Sequence, residues 1–188
     1  VRLCYLDAVL RTQPHGFTRT RSPVQVGAEL YGHAGVDSDI EMLCLMIEML
    51  RATGINDVHV ELGHVGIFKA LARSAQLSDE QESILFDALQ RKARPEIESF
   101  LSEIKLDNKH RNMIISLVEL NGGEEVFDLA RKELKQGSKE VHEALDRLEN
   151  LVGAAQSRLT NVKLHYDLAE LRGYGYQNGI VFAAFMPG

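Results

Sequence analysis

Apolar side chains recur at every second position in Arg2-Leu-Cys-Tyr-Leu-Asp-Ala-Val-Leu10 and again in Val24-Gln-Val-Gly-Ala-Glu-Leu-Tyr31, a spacing that predicts two strands. The segment between them, Thr12 to Pro23, carries Pro14, Gly16, hydroxyl residues, Arg19 and Arg21, and is expected to be a long exposed loop closing an antiparallel pair. From Asp37 the period lengthens to that of a helix, with Ile40, Leu43, Ile47 and Leu50 on one face, Asp37 or Ser38 as cap and Gly54 as the stop. Asp57 to Leu62 alternates again as a third strand. Residues 78–136 are helical in tone, opened by a capping-box pattern from Ser78 to Gln81 and punctuated by Gly122, Gly123 and Gly137. Ser138 to Ser157 is the most amphipathic helix, its stripe formed by Val141, Leu145, Leu148, Val152 and Ala155. Alternation returns in Asn161 to Tyr166 and in a terminal hairpin expected between Gly173 and Phe185.

Strands, then helices, then strands predict an α+β fold in which a helical insertion interrupts an antiparallel sheet. The expected division is a first part of the core over residues 1–77, the insertion over 78–137 and a second part of the core over 138–188. Both ends begin and stop inside apolar strand-like runs, so the sequence reads as an internal piece of a longer polypeptide.

A chain of 188 residues with 45% hydrophobic and 26% charged residues has enough apolar material for a real core. Its net charge of −6 argues against general affinity for nucleic acid. The insertion together with the helix that follows it is acidic as well, with 17 acidic residues to 12 basic over 78–158. No run approaches a membrane span and no targeting segment is visible, so a cytoplasmic location is expected. Cys4 and Cys44 lie in apolar segments and are expected to be reduced core residues. His15, His33, His59 and His64 lack the spacing of a metal site, and neither a metal nor a cofactor is expected.

Two segments carry candidate chemistry. In Gln25-Val-Gly-Ala-Glu29 the strand period puts Gln25, Gly27 and Glu29 on one face, a polar floor on which Gly27 leaves room for a ligand to approach the backbone. The other face should be core. In Arg172-Gly-Tyr-Gly-Tyr-Gln-Asn-Gly179, read as a strand, Arg172, Tyr174 and Tyr176 share a face. If the two strands belong to one sheet, Arg172 and Tyr176 converge with Gln25 and Glu29 on a zwitterion, the carboxylate taking an ammonium or ring N–H and the arginine a carboxylate or phosphate. Arg11, Arg19 and Arg21 flank the long loop, either as a phosphate cradle or as solubilising charge. The glycine spacing of 173–179 imitates a dinucleotide fingerprint, but a strand follows it, so that reading is rejected.

The stretch from Leu10 to Gly32 resembles motif 2 of histidyl-tRNA synthetase and its relatives, approximately Phe-Arg-x-Glu-Arg-Pro, Gly-Arg-x-Arg-x-Phe and Gln-x-Gly-x-Glu-x-x-Gly. The resemblance places Arg11 on the α-phosphate arginine, Arg19 and Arg21 on the loop arginines, and Gln25 and Glu29 on the histidine-binding pair. Arg172-Gly-Tyr-Gly-Tyr-Gln is similar to the family's Arg-Gly-Leu-Asp-Tyr-Tyr motif, placing Arg172 on its catalytic arginine and Tyr176 on its first histidine-contacting tyrosine. Against this pattern Gln13 replaces the glutamate that reads adenine, Pro23 the phenylalanine on which adenine stacks, Gly175 the aspartate and Gln177 the second tyrosine.

The adenylation half is thus degraded while the histidine half persists, a combination that resembles the regulatory subunits of ATP phosphoribosyltransferase. That resemblance implies a class II synthetase-like fold and no catalytic residue of its own. It implies L-histidine as ligand, a short-form catalytic subunit as partner, self-association through the synthetase-like core, and a role in histidine biosynthesis with feedback control by histidine. The arginines at 11, 19 and 21 then stand on the phosphate side and are expected to be vestigial. The alternative is a catalytic-core fragment of a histidyl-tRNA synthetase.

Overall fold

The computed structural model describes residues 1–12, 20–155, 158–159 and 161–186. Two strands, β1 (Arg2–Ala8) and β2 (Val24–Leu30), form an antiparallel ladder from Arg2 opposite Leu30 to Ala8 opposite Val24. They are a sheet of their own. Neither face is buried: Val24 and Val26 are 72% and 58% exposed, so the expected core face is absent from this hairpin. Cys4 is exposed for the same reason, contrary to the expectation of a core thiol, whereas Cys44 is partly buried and packs against the core.

Helix α1 (Val36–Ala52) follows. Its N-cap is Gly35, which offers no side chain, rather than Asp37 or Ser38; the Ser38 hydroxyl instead meets His33 Nδ1 at 2.6 Å. Asp37 and Asp39 in the first turn and Arg51 in the last still oppose the helix dipole. Gly54, at φ +89°, ends the helix by giving its N–H to the Arg51 carbonyl, as the sequence predicts.

Strand β3 (His59–His64) runs without a linker into α2 (Val65–Ser74), and the His64 side chain turns the chain by accepting the Gly66 N–H at 3.0 Å. Helix α2 was not singled out from the sequence; it is amphipathic, burying Val65, Ile67, Phe68, Ala70, Leu71 and Ala72 while Lys69 and Arg73 stay on its outer side. Four helices come next: α3 (Asp79–Gln90), α4 (Arg94–Glu103), α5 (Asn108–Ser116) and, after the two-residue strand β4 (Asn121–Gly122), α6 (Glu125–Glu133). The Ser78–Gln81 capping box is present in both directions. Asp107 caps α5 through the Lys109 and His110 N–H groups. Helix α7 (Lys139–Ala155) buries the five stripe residues named above, and Ala144 and Leu151 besides.

The last strands are β5 (Lys163–Asp167) and β6 (Ile180–Phe185). The main sheet has the order β4-β5-β3-β6, with β3 parallel to β5 and the other pairs antiparallel. The sheet is therefore mixed, because helices separate β3 from β5 and a helical crossover returns a strand in parallel. Val60 and Leu62 face the helices and are fully buried, whereas Glu61 projects from the opposite face. One continuous core joins α1, α2, α7, the sheet and the helices of residues 79–133.

The expected terminal hairpin is not formed. Strand β6 pairs along β3, from Ile180 opposite His64 to Phe185 opposite His59, and residues 172–176 are consecutive tight turns. Gly173, at φ +74°, accepts from the Tyr176 and Gln177 N–H groups at 2.8 and 2.7 Å, a closure that a strand cannot make. No helix among the described residues is long and apolar enough to cross a membrane.

Candidate functional site

The end of β2, the first two turns of α1 and the 172–177 turn line a cleft of about 610 Å³, walled by Ile180, Val181 and Phe182 of β6. Glu29, Arg172 and Tyr176 all line it. The structure thus brings three of the four expected ligand residues together, although the tyrosine arrives on a turn rather than on a strand face. Tyr174 points the other way. It stacks between Phe68 and Phe86, with ring centroids 5.5 and 5.2 Å away, and donates its hydroxyl to Glu82 of α3. Burial and the Glu82 carboxylate push that hydroxyl far above its ordinary titration range. Lys69 holds the turn from α2, donating to the Gln177 carbonyl at 2.6 Å with its ammonium 4.8 Å from the Tyr174 ring centre.

Gln25 shares a strand face with Glu29 but does not line the cleft; its Nε2 donates to the Tyr5 hydroxyl at 2.6 Å. Nor is Gly27 an approach for ligand. It is paired with Tyr5 across the ladder, and a Cβ there would lie 2.3 to 2.7 Å from that ring, so Gly27 makes room for Tyr5. The pattern of one strand cannot show which residue of its neighbour lies opposite.

Glu29 accepts the Tyr31 hydroxyl, and this carboxylate holds the tyrosine above its usual range. Tyr31, Asp39, Met42 and Gln177 also line the cleft and were not singled out from sequence. The signal for Tyr31 was available, since it stands two residues beyond Glu29 and so on the same face. Asp39 is tied to Arg147 of α7 at 3.0 Å.

Arg172 donates from its backbone N–H to Glu170 Oε1 at 2.7 Å and from its guanidinium to Glu170 Oε2 at 3.2 Å, and it lies over the Phe185 ring at 5.7 Å. Negative Glu29 and positive Arg172 thus both line this cleft, a charge combination that matches an α-amino acid or another small zwitterion.

Arg11 and Arg21 continue the hairpin beyond its strands, the Arg11 N–H bonding the Arg21 carbonyl at 2.8 Å and Arg21 Nε the Arg11 carbonyl at 3.3 Å. Both are exposed and neither lines the cleft. Arg19 and Gln13 lie outside the described residues. Among the described residues no group of three or more His, Cys, Asp or Glu side chains is placed to hold a metal ion.

A family model for histidyl-tRNA synthetase matches residues 1–188. The chain is 50% identical over 187 residues to an ATP phosphoribosyltransferase regulatory subunit of Alkalilimnicola ehrlichii and 51% identical to that of Ectopseudomonas mendocina; each match covers all of this chain and 47% of the relative. The chain spans about half the length of these curated relatives. Among solved structures, an ATP phosphoribosyltransferase regulatory subunit/histidyl-tRNA synthetase from Bacillus halodurans superposes with a TM-score of 0.83 at 24% identity, over 98% of this chain and 48% of that one. Histidyl-tRNA synthetase from Nostoc gives 0.77 at 19% identity, over 97% and 43%. The ATP phosphoribosyl transferase (HisG:HisZ) complex from Thermotoga maritima gives 0.71 at 19% identity, over 98% and 63%. These superpositions establish the class II synthetase-like α+β fold expected above. From the full-length family match and the fold it accompanies, the chain belongs to the histidyl-tRNA synthetase family.

Proposed function

We propose that this chain is part of a regulatory subunit of ATP phosphoribosyltransferase, non-catalytic itself, which binds L-histidine in the cleft between Glu29 and Arg172. The observation that carries the reading is that those two opposite charges and Tyr176 line one cleft. Glu29 takes the ammonium or an imidazole N–H, Arg172 the carboxylate, and Tyr176 supplies an aromatic edge at the mouth. Gln25 joins only after leaving Tyr5. The names of relatives half identical to this chain support the assignment to the regulatory branch.

The partner in this reading is the short-form catalytic subunit, and the site of action is histidine biosynthesis in the cytoplasm. Histidine favours one of two arrangements of the complex and so acts as feedback inhibitor; its leverage equals its difference in affinity for the two, commonly about 1 to 3 kcal/mol. Self-association runs through the synthetase-like core, and residues 78–137 act as an insertion in it. The adenylation chemistry is lost: Gln13, Pro23, Gly175 and Gln177 depart from the synthetase pattern. A neutral amide brings no full charge to an adenine amino group, and proline has no aromatic face. Arg11, Arg19 and Arg21 are remnants of the phosphate side.

The test is calorimetry of the full-length protein with L-histidine. Binding that Glu29→Ala weakens at least tenfold supports the reading, and unchanged affinity in that variant removes Glu29 from it. Stimulation of the short phosphoribosyltransferase on mixing tests the partner. The second reading, a true histidyl-tRNA synthetase, is favoured by the family model that matches the whole chain. It requires histidine-dependent exchange of pyrophosphate into ATP, which the regulatory reading forbids.

A further inference from the structure

We propose that Glu170 is the positioning residue for Arg172, and that Glu61, its neighbour on β3, modulates how firmly Glu170 holds the guanidinium back from the cleft. The inference deepens the reading above and takes from it only that Arg172 meets a ligand carboxylate.

Glu170 is 8% exposed and holds Arg172 twice, through its backbone N–H and its guanidinium. Two carboxylate oxygens bonded to one residue's main chain and side chain fix both the turn and the direction of the arginine. The approach of Glu170 to the sheet depends on Gly63 of β3, where a Cβ would lie 2.9 Å from Glu170 Cβ and 2.7 Å from the Asp167 carbonyl. The neighbouring carboxylate, Asp167, is fixed separately: it accepts the Ala169 N–H at 2.9 Å and pairs with Lys92 at 2.8 Å. Glu170 therefore has Arg172 as its cationic partner, and it packs on Gly63, two residues from Glu61 and on the same face of β3.

Two neighbouring carboxylates retain a proton between them. Burial first, then Glu170 and Asp167, push Glu61 up to about 7, with Arg172 opposing. His165 stands opposite Glu61 on β5, while β6 presents Ala183 there and adds no charge. Below that pH, protonated Glu61 donates to Glu170, and one negative charge faces Arg172. Above it, two do. The guanidinium is then held more tightly and attracts a ligand carboxylate less, so histidine affinity falls as the pH rises through neutrality.

Two measurements on the full-length protein decide the matter. The first does not involve histidine: the rate at which phenylglyoxal modifies Arg172, followed by peptide mass spectrometry relative to the exposed Arg158. At pH 7, Glu170→Gln is expected to raise this ratio at least threefold. In the wild type the ratio falls between pH 6 and 8, and in Glu61→Gln, whose amide donates to Glu170 at every pH, it stays flat. An unchanged ratio in folded Glu170→Gln, or a wild-type slope retained in Glu61→Gln, overturns the proposal. If Glu170→Gln does not fold, the Glu61→Gln slope decides alone. The second measurement is histidine affinity against pH. A severalfold loss in Glu170→Gln, with a pH slope in the wild type that exceeds that of Glu61→Gln, supports the coupling. Should the modification ratios behave as expected while no form binds histidine, the positioning role stands and the histidine reading falls.

Discussion

Gln25 is bonded to Tyr5: its side-chain amide donates to the tyrosine hydroxyl at 2.6 Å across the β1–β2 ladder, beside a glycine that leaves space for the ring. A side chain that the family motif assigns to the ligand is thereby engaged by its own hairpin. Releasing it costs about 1 kcal/mol, the net worth of a neutral hydrogen bond. Tyr5→Phe is expected to tighten histidine binding about fivefold by removing that cost. Gly27→Ala, which forces the ring aside, should change affinity in the same direction. Calorimetry showing weaker binding in both variants would place Tyr5 itself on the ligand.

Tyr174 fastens the 172–177 turn to α2 and α3. Tyr174→Phe keeps the stacking on Phe68 and Phe86 and loses the bond to Glu82, for an expected destabilisation of about 1 to 2 kcal/mol. Tyr174→Ala removes the ring as well and should cost about 3 to 5 kcal/mol. Urea midpoints of the full-length variants check the order; equal losses for the two substitutions would show that the ring contributes nothing.

His64 and Glu61 give stability opposite slopes in pH. Burial, reinforced by the charge of Arg147, lowers His64 from 6.5 to about 4, so the unfolded chain takes up its proton first. The stability this group contributes is present above pH 6.5 and is lost as the pH falls toward 4, roughly 3 kcal/mol at about 1.4 kcal/mol per pH unit. His64→Asn retains an acceptor for the Gly66 N–H and should flatten the acid limb of a plot of melting temperature against pH.

Glu61 runs the other way. Its folded value near 7 lies above the ordinary 4.5, so the stabilisation is complete below pH 4.5 and is lost as the pH rises through 7. Glu61→Gln is therefore expected to gain on the wild type between pH 5 and 8. A constant difference in melting temperature over that range would remove the shared proton from the account.

Gly63 is required by shape alone. Backbone and Cβ atoms of the 167–170 turn stand where an alanine methyl would go, so Gly63→Ala should lose about 1 to 3 kcal/mol and weaken ligand binding by displacing Glu170 and, with it, Arg172. Normal stability with normal affinity would break the link between β3 and the arginine.

Local features were legible in the sequence. The two-residue period marked β1 and β2, the helical period marked α1 and α7, and Ser78 with Gln81 marked the start of α3, because periodicity and capping are settled within a few residues along the chain. The family motifs also named Glu29, Arg172 and Tyr176, which the fold gathers at one cleft. Only the tertiary structure decided that β1 and β2 stand apart from the main sheet, that β6 pairs with β3 instead of turning back on residues 172–176, and that Tyr5 claims Gln25. Those outcomes depend on partners more than a hundred residues away or across a ladder, as Ile180 is from His64 and Tyr5 from Gly27. An alternating pattern states that a strand has two faces; which neighbour covers each face is set by the free energy of packing the whole chain.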